Sequence, residues 1–89
     1  MARLRYSELF LENASTIQSH DKRVEIRHRV ELLQTFPEMG SQDVSRFIKN
    51  SFGKHVRKLT IKPFVVVYEY KEKTDEVWML GLIHQRAAL

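Results

Sequence analysis

The residues best equipped for chemistry stand at the two ends of a β-rich stretch, residues 55–86. His84 and Arg86 close it. An imidazole whose ordinary pKa lies near neutrality can give or take a proton at physiological pH. A guanidinium two residues on can hold a phosphate or carboxylate through paired hydrogen bonds. The pair could therefore supply acid–base work and anion stabilisation, or it could simply solvate a strand end. His55, Arg57 and Lys58 open the stretch. Arg57 and Lys58 are neighbours on a strand, so they point to opposite faces and only one can join a site on a given face. His55, beside Gly53 and Lys54, could border the same cleft as the strand ends. His20 falls in a helix break, and His28 lies between Arg27 and Arg29 on a solvated helix face. No His, Asp or Glu cluster has metal-ligand spacing, so no metal is expected. Gly40, Gly53 and Gly81 are isolated, which leaves no phosphate-cradling loop and no cofactor expected.

These residues need a frame. Within residues 55–86, three runs rich in Val, Ile, Tyr, Phe and Trp are separated by Lys62-Pro63 and by the polar segment 71–76. That composition suits strands, and the two breaks suit turns, so an antiparallel three-strand meander is expected. Alternation puts Phe64, Val66, Tyr68 and Tyr70 on one face and Val65, Val67, Glu69 and Lys71 on the other. In the last strand it sets Val77, Met79, Gly81 and Ile83 against Trp78, Leu80, Leu82, His84 and Arg86. In the first it sets Arg57, Leu59 and Ile61 against Val56, Lys58 and Thr60. Both faces are apolar at the centre, so the middle and last strands should be buried on both sides. Tyr68, Tyr70 and Trp78 at alternating positions are read as core rather than as stacking platforms.

Ala2 to Tyr6 reads as a short strand. Ser7 is a good N-cap, and Phe10, Ala14 and Ile17, with Leu9 and Asn13 beside them, predict a helix over roughly residues 8–18. After the break at Ser19-His20-Asp21, with Asp21 as cap, a second helix should run to about Thr35. Its stripe is Ile26, Val30 and Leu33, widened by Leu32 and Phe36. Its other side carries Lys22, Arg23, Arg27 and Arg29, interleaved with Glu25 and Glu31. The two helices form an αα-hairpin that ends at Pro37, and Gly40 turns the chain. Ser41-Gln42-Asp43 resembles a further helix start, with Val44, Phe47 and Ile48 following and Gly53 ending the segment; an ordered loop anchored by the same side chains is the alternative. The order gives an α+β fold: an N-terminal strand, an αα-hairpin with a possible short third helix, then the meander, with helices packed on one face of the sheet.

Eighty-nine residues make one domain, residues 1–89, with room for one core. Without cysteine there is no disulfide and no thiolate site. No run approaches ~18 apolar residues and no signal sequence is visible, so a soluble cytoplasmic protein without membrane contact is expected. A net charge of +4 and a pI near 9.6 favour acidic partners, whether nucleic acid or protein.

The chain resembles the RelE/ParE superfamily of bacterial toxins from type II toxin–antitoxin modules. The resemblance rests on Pro37-Glu38-Met39-Gly40 after the hairpin, Val56-Arg57-Lys58-Leu59 opening the meander, Pro63-Phe64-Val65-Val66-Val67-Tyr68 in its middle strand and Ile83-His84-Gln85-Arg86 closing it. It implies a cognate antitoxin as partner and one of two targets. RelE-like members cut messenger RNA in the ribosome; ParE-like members poison DNA gyrase. The RNA-cutting branch commonly has a basic residue after the aromatic that opens the middle strand, where this chain has Val65 after Phe64. Arg86 and Lys58 do fall at that branch's basic positions. With His84 as base or acid, they are the residues that would cut RNA if this chain does so. Otherwise Arg57, Lys58, His55, His84 and Arg86 would bind the target or antitoxin. The valine tips the expectation toward a ParE-like gyrase poison. A ribosome-dependent endoribonuclease is the alternative, and a non-toxic interaction module on the same fold is another.

Overall fold

The computed structural model describes residues 1–88. The chain runs β1 (Arg3–Tyr6), α1 (Glu8–Ser15), α2 (His20–Glu31), a 3-10 turn (Leu32–Gln34), α3 (Arg46–Phe52), β2 (Arg57–Ile61), β3 (Phe64–Lys71), β4 (Glu76–His84) and a closing 3-10 turn (Gln85–Ala88). The sheet order is β1-β4-β3-β2. The meander is antiparallel as expected, and β1 joins β4 in parallel. The N-terminal strand, helical hairpin and meander of the expected α+β fold are all present.

Each helix starts on a serine. Ser7 Oγ accepts from the Phe10 amide and donates to the Leu80 carbonyl, which fixes α1 to β4. Ser19, not Asp21, caps α2 by accepting from the Lys22 amide. Asp21 sits inside the first turn, where its charge favours the helix dipole. Ser45, beyond the Ser41-Gln42-Asp43 segment read as the helix start, caps α3. The later start has a cause: Ser41 pairs with Lys58 as an extra bridge beside β2, and the Val44 amide turns back to the Gln42 carbonyl at 2.9 Å, so the helix starts only after Val44 is buried. Gly53 ends α3 at φ 106°, a backbone region that suits glycine. Two ends fall short of expectation. Helix α1 stops at Ser15, where Thr16 donates both its amide and its hydroxyl to the Asn13 carbonyl; Ile17 beyond it is buried all the same. At Leu32 the chain tightens from α to 3-10, which turns Leu33 inward and leaves Leu32 exposed. Leu9, Phe36 and Phe47 also lie outside the core.

The sheet is covered on both sides. The hairpin brings Phe10, Ile17, Ile26, Val30 and Leu33 onto Leu59, Ile61, Val66, Tyr68, Val77, Met79 and Leu82. Helix α3 does form, and it covers the opposite face, where Val44, Ile48, Val56, Val65 and Val67 cluster with Phe52, Leu80, Ile83 and Ala88. The strict alternation expected of the last strand fails at one point. Val67 pairs with Gly81 but Tyr68 pairs with Met79, so Leu80 is an extra residue in a bulge. Past it the faces swap: Leu82 joins the hairpin side and Ile83 the α3 side. The bulge sits where Gly81 lets the Phe52 ring close in, since a Cβ there would lie 2.6 Å from that ring.

The loop between hairpin and α3 is tied to β3. The Tyr68 hydroxyl, fully buried, accepts from the Gly40 amide at 2.7 Å. A Cβ on Gly40 would meet that hydroxyl at 2.6 Å and the Lys58 carbonyl at 2.8 Å. Gly40→Ala should therefore destabilise the fold by about 1–3 kcal/mol. Thermal unfolding should show a fall of ~4–8 °C per kcal/mol for a domain of this size. An unchanged melting temperature would mean that the loop is not held by this contact.

At the other edge, β1 is clamped to β4 by Arg5 Nε donating to Glu76 Oε2 at 2.9 Å, with Arg3 beside it. The Arg5 hydrogen bond, and then one from Thr74, hold the Glu76 carboxyl below its ordinary pKa of 4.5. A carboxyl depressed in the folded state adds stability that is complete above the unfolded pKa and is lost as pH falls through the folded one. Unfolding of Glu76→Gln followed below pH 4.5 should accordingly depend less on pH than that of the native chain. Parallel curves for the two proteins in that range would show that the clamp carries no such linkage.

Candidate functional site

The residues singled out by type do not converge on one site. Arg57 lies opposite Tyr68 and His84 opposite Phe64, four residues or roughly 13 Å apart along β3. His55 and Arg57 line a wide cleft at one end of the sheet, with Glu38, Gln42, Glu69, Tyr70 and the β3–β4 loop. Lys58 pairs with Val67 and Ser41, and its side chain belongs to the α3 side, away from Arg57.

His84 ends β4 on the hairpin side. Its ring meets Phe64 edge-on at 5.9 Å, and its Nδ1 accepts from the Arg86 amide at 3.2 Å. With Nδ1 so occupied, the neutral imidazole carries its proton on Nε2. Arg86 has left the strand for the closing 3-10 turn, because the Gln85 amide turns back to the Pro63 carbonyl at 2.7 Å. The two are linked through the backbone rather than side by side on one strand face. His84 and Arg86 are exposed, so both are available to a partner.

Arg57 is already engaged. Nη1 donates to the carbonyls of Glu38 and Gly40 at 3.1 and 2.9 Å, and Nη2 to the Glu38 carboxylate at 3.3 Å. Its side chain is only 18% exposed. The guanidinium and the Tyr68 hydroxyl thus hold the same loop from two directions. Burial raises the pKa of Tyr68 above its ordinary value. The phenol stays protonated and holds the loop by accepting the Gly40 amide.

Val65, at the position where a basic residue was the point of interest, is 2% exposed beneath α3 and the closing turn. Its surroundings are apolar. Nothing there can donate to a phosphate.

The best-formed concavity is elsewhere. Between α1 and α2, over β4, lies a groove of about 210 Å³ whose wall is almost wholly apolar: Phe10, Ala14, Ile17, Ile26, Val30 and Leu82. Tyr6, Arg23 and Arg27 stand at its rim. Neither arginine forms an ion pair among the described residues. The sequence carried a signal for it: Arg23 and Arg27 at i, i+4 flank Ile26, so two cations border the apolar stripe on one side. Among the described residues no group of three His, Cys, Asp or Glu side chains could hold a metal, and no helix is long and apolar enough to cross a membrane.

Comparison with known proteins agrees with this architecture. The sequence model of the family described as the ParE toxin of the type II toxin–antitoxin system parDE matches residues 4–89. The intact E. coli RelBE toxin–antitoxin complex contains a similar chain, at TM-score 0.71 and 12% identity over 92% of this chain and 94% of that one. The isolated E. coli RelE toxin is similar at TM-score 0.72 and 11% identity, over 94% and 84%. At such identities the likeness is one of fold. Curated protein sequences give no significant match.

The packing of Val65 yields a sharp expectation. Val65→Arg, which installs a basic residue at that position, should place an unpaired charge in an apolar cluster and cost about 3–5 kcal/mol. Denaturant unfolding would measure it. A stable Val65→Arg protein would mean that the α3 face opens readily and that a polar site could be housed there.

Proposed function

The chain belongs to the ParE toxin family of type II toxin–antitoxin systems, and from that premise we propose that it arrests bacterial growth by poisoning DNA gyrase. The observation that carries the choice of target is Val65. Cleavage of RNA by its own 2′-hydroxyl passes through a phosphorane with extra negative charge, and preorganised donors must meet it. Losing one such donor typically costs ~10²–10³ in rate. Here the position is closed by packing, Lys58 lies on a different face from His84, and Arg57 is spent on Glu38 and Gly40. A gyrase poison needs no phosphorane stabiliser. It needs a stable surface that holds its target.

The partner that restrains it is a cognate antitoxin, and we infer that an acidic, apolar antitoxin segment fills the groove between α1 and α2. Its apolar side chains would displace water from Phe10, Ile26 and Leu82, and its carboxylates would meet Arg23 and Arg27. The intact RelBE complex, a toxin of this fold with its antitoxin, supports a protein partner of this kind. Arg57 contributes little to such binding because Glu38 already neutralises it. Association steered by Arg23 and Arg27 should be fast and should slow as salt rises.

Induced expression should stop growth, and co-expression of the antitoxin should restore it. Mapping of double-strand DNA breaks and of messenger ends after induction should give breaks with intact messages. His84→Gln, which keeps polarity but removes titration, should leave toxicity largely intact, whereas Arg86→Ala should weaken it through a lost surface contact. Codon-positioned message cleavage abolished by His84→Gln would overturn the gyrase reading in favour of a ribosome-dependent nuclease. Unimpaired growth with soluble protein accumulating would favour an inert interaction module.

A further inference from the structure

The positive charge of this chain is concentrated in one segment. Residues 44–68 contain six of the fifteen Lys and Arg and none of the eleven Asp and Glu. The other sixty-four residues carry nine cations against eleven carboxylates. The net charge of +4 is therefore a property of residues 44–68 alone. Two of the six cations are placed apart: Arg57 is bound to Glu38 on the hairpin side, and Lys62 lies in the β2–β3 turn. The other four, Arg46, Lys49, Lys54 and Lys58, belong to α3, its connection to β2, and the α3 side of β2. None of the four forms an ion pair among the described residues.

Helix geometry aims two of them outward. Ile48, fully buried, and Phe52 define the inner side of α3. At ~100° per residue, Arg46 and Asn50 stand opposite Ile48, with Lys49 and Phe47 on the two flanks. All four are exposed. The surface is convex and polar, unlike the apolar groove of the hairpin, so it does not suit an acidic peptide that must bury hydrophobic side chains. It is poor in free rings as well. Phe47 is exposed, but Trp78 is half-buried, with its Nε1 donating to Glu76 and Lys71 over its ring at 5.7 Å. Recognition of single strands relies on several stacking platforms, which this surface lacks. A short convex helix carrying Arg, Lys and Asn fits the backbone of a duplex, whose major groove of about 12 Å admits a helix.

We propose that the α3 side of the molecule, through Arg46 and Lys49 on the outer surface of α3 and Lys54 and Lys58 beside it on the connection and β2, binds the phosphate backbone of double-stranded DNA. The surface lies on the opposite side of the sheet from the hairpin groove, so the two can be occupied together. The inference follows from charge placement and does not rest on the gyrase reading.

The test is fluorescence anisotropy of the purified chain on a labelled duplex of roughly 20 base pairs, with neither gyrase nor antitoxin present, between about 50 and about 300 mM salt. Four phosphate contacts predict a slope of log affinity against log salt of about −3 to −4. Arg46→Glu with Lys49→Glu should weaken binding at least tenfold at the lowest salt and make the slope shallower by about two. Arg46→Gln with Lys49→Gln should make it shallower by a similar amount, and serves if charge reversal perturbs folding. Arg29→Glu with Lys73→Glu changes the net charge equally and should alter affinity less than threefold. Equal losses from the two charge-reversed pairs would reduce the effect to net charge and overturn the proposal. So would absence of binding at the lowest salt, tighter binding of a single-stranded RNA of the same length, or displacement of the duplex by polyglutamate at equal charge concentration.

Discussion

Strand β3 is buried from both sides, and most of the molecule follows from that constraint. Val65, Val66, Val67 and Tyr68 are each at most 2% exposed, alternately beneath α3 and beneath the hairpin. In so small a chain, two covered faces require two separate helical layers. The hairpin supplies one, and a seven-residue helix with the closing turn supplies the other. The centre of the sheet then has no place for a charged side chain, because a buried unpaired charge costs more than so small a domain can offset. Function is displaced to the periphery: the strand ends, the groove between the helices, and the outer surface of α3.

Peripheral surfaces need fixed supports, and the polar contacts around β2 provide one. Between the hairpin and α3 the chain crosses a loop without regular structure. Tyr68 takes its Gly40 amide, Arg57 takes two of its carbonyls, and Ser41 exchanges two backbone hydrogen bonds with Lys58. No buried side-chain nitrogen or oxygen is left unpartnered among the described residues. The loop thereby positions Ser45 to start α3, and α3 in turn packs Phe52 over Gly81 and sets the bulge in β4. A loop residue such as Gly40 is therefore connected through packing to the side on which His84 emerges.

Much of the frame was legible because strand patterning and turn chemistry are local. The meander, its two turns and its two-sided burial follow from runs of Val, Ile and Tyr broken by Pro63 and by residues 72–75, and the helical hairpin from the spacing of Phe10, Ala14 and Ile17 and of Ile26, Val30 and Leu33. The caps were less legible: Ser19 rather than Asp21 starts α2, and α3 starts at Ser45, beyond the Ser41-Gln42-Asp43 segment that pairs with distant Lys58. The bulge was not legible. Alternation carries no mark of an extra residue except Gly81, and that glycine has meaning only once Phe52 lies over it. As for the site, His84 and Arg86 do share one end, but they meet through a backbone amide. Arg57 lies at the other end because β2 and β4 run the same way, so the start of one cannot adjoin the finish of the other. That separation was implicit in the strand order and needed no side chains to see.

Charge is the property for which the whole-chain value misleads most. Several cations are structural: Arg3 and Arg5 on Glu76, Lys22 on Glu25 and on the Lys62 carbonyl, Arg57 on Glu38. These pairs are local and partly shielded, and they contribute little to the field felt at a distance. Of the cations that form no ion pair among the described residues, two groups lie on opposite sides of the sheet: Arg23 and Arg27 at the hairpin groove, Arg46, Lys49, Lys54 and Lys58 around α3. The first group borders apolar surface, so burial there supplies affinity that salt does not remove, and the charges mainly set the rate of approach. The second group borders polar, convex surface, so almost all of its attraction is electrostatic and falls steeply with ionic strength. Since one Debye length at physiological salt is about 8 Å, less than the thickness of a sheet covered on both sides, the two groups act independently. One small domain can in this way present a salt-resistant face and a salt-sensitive face at once.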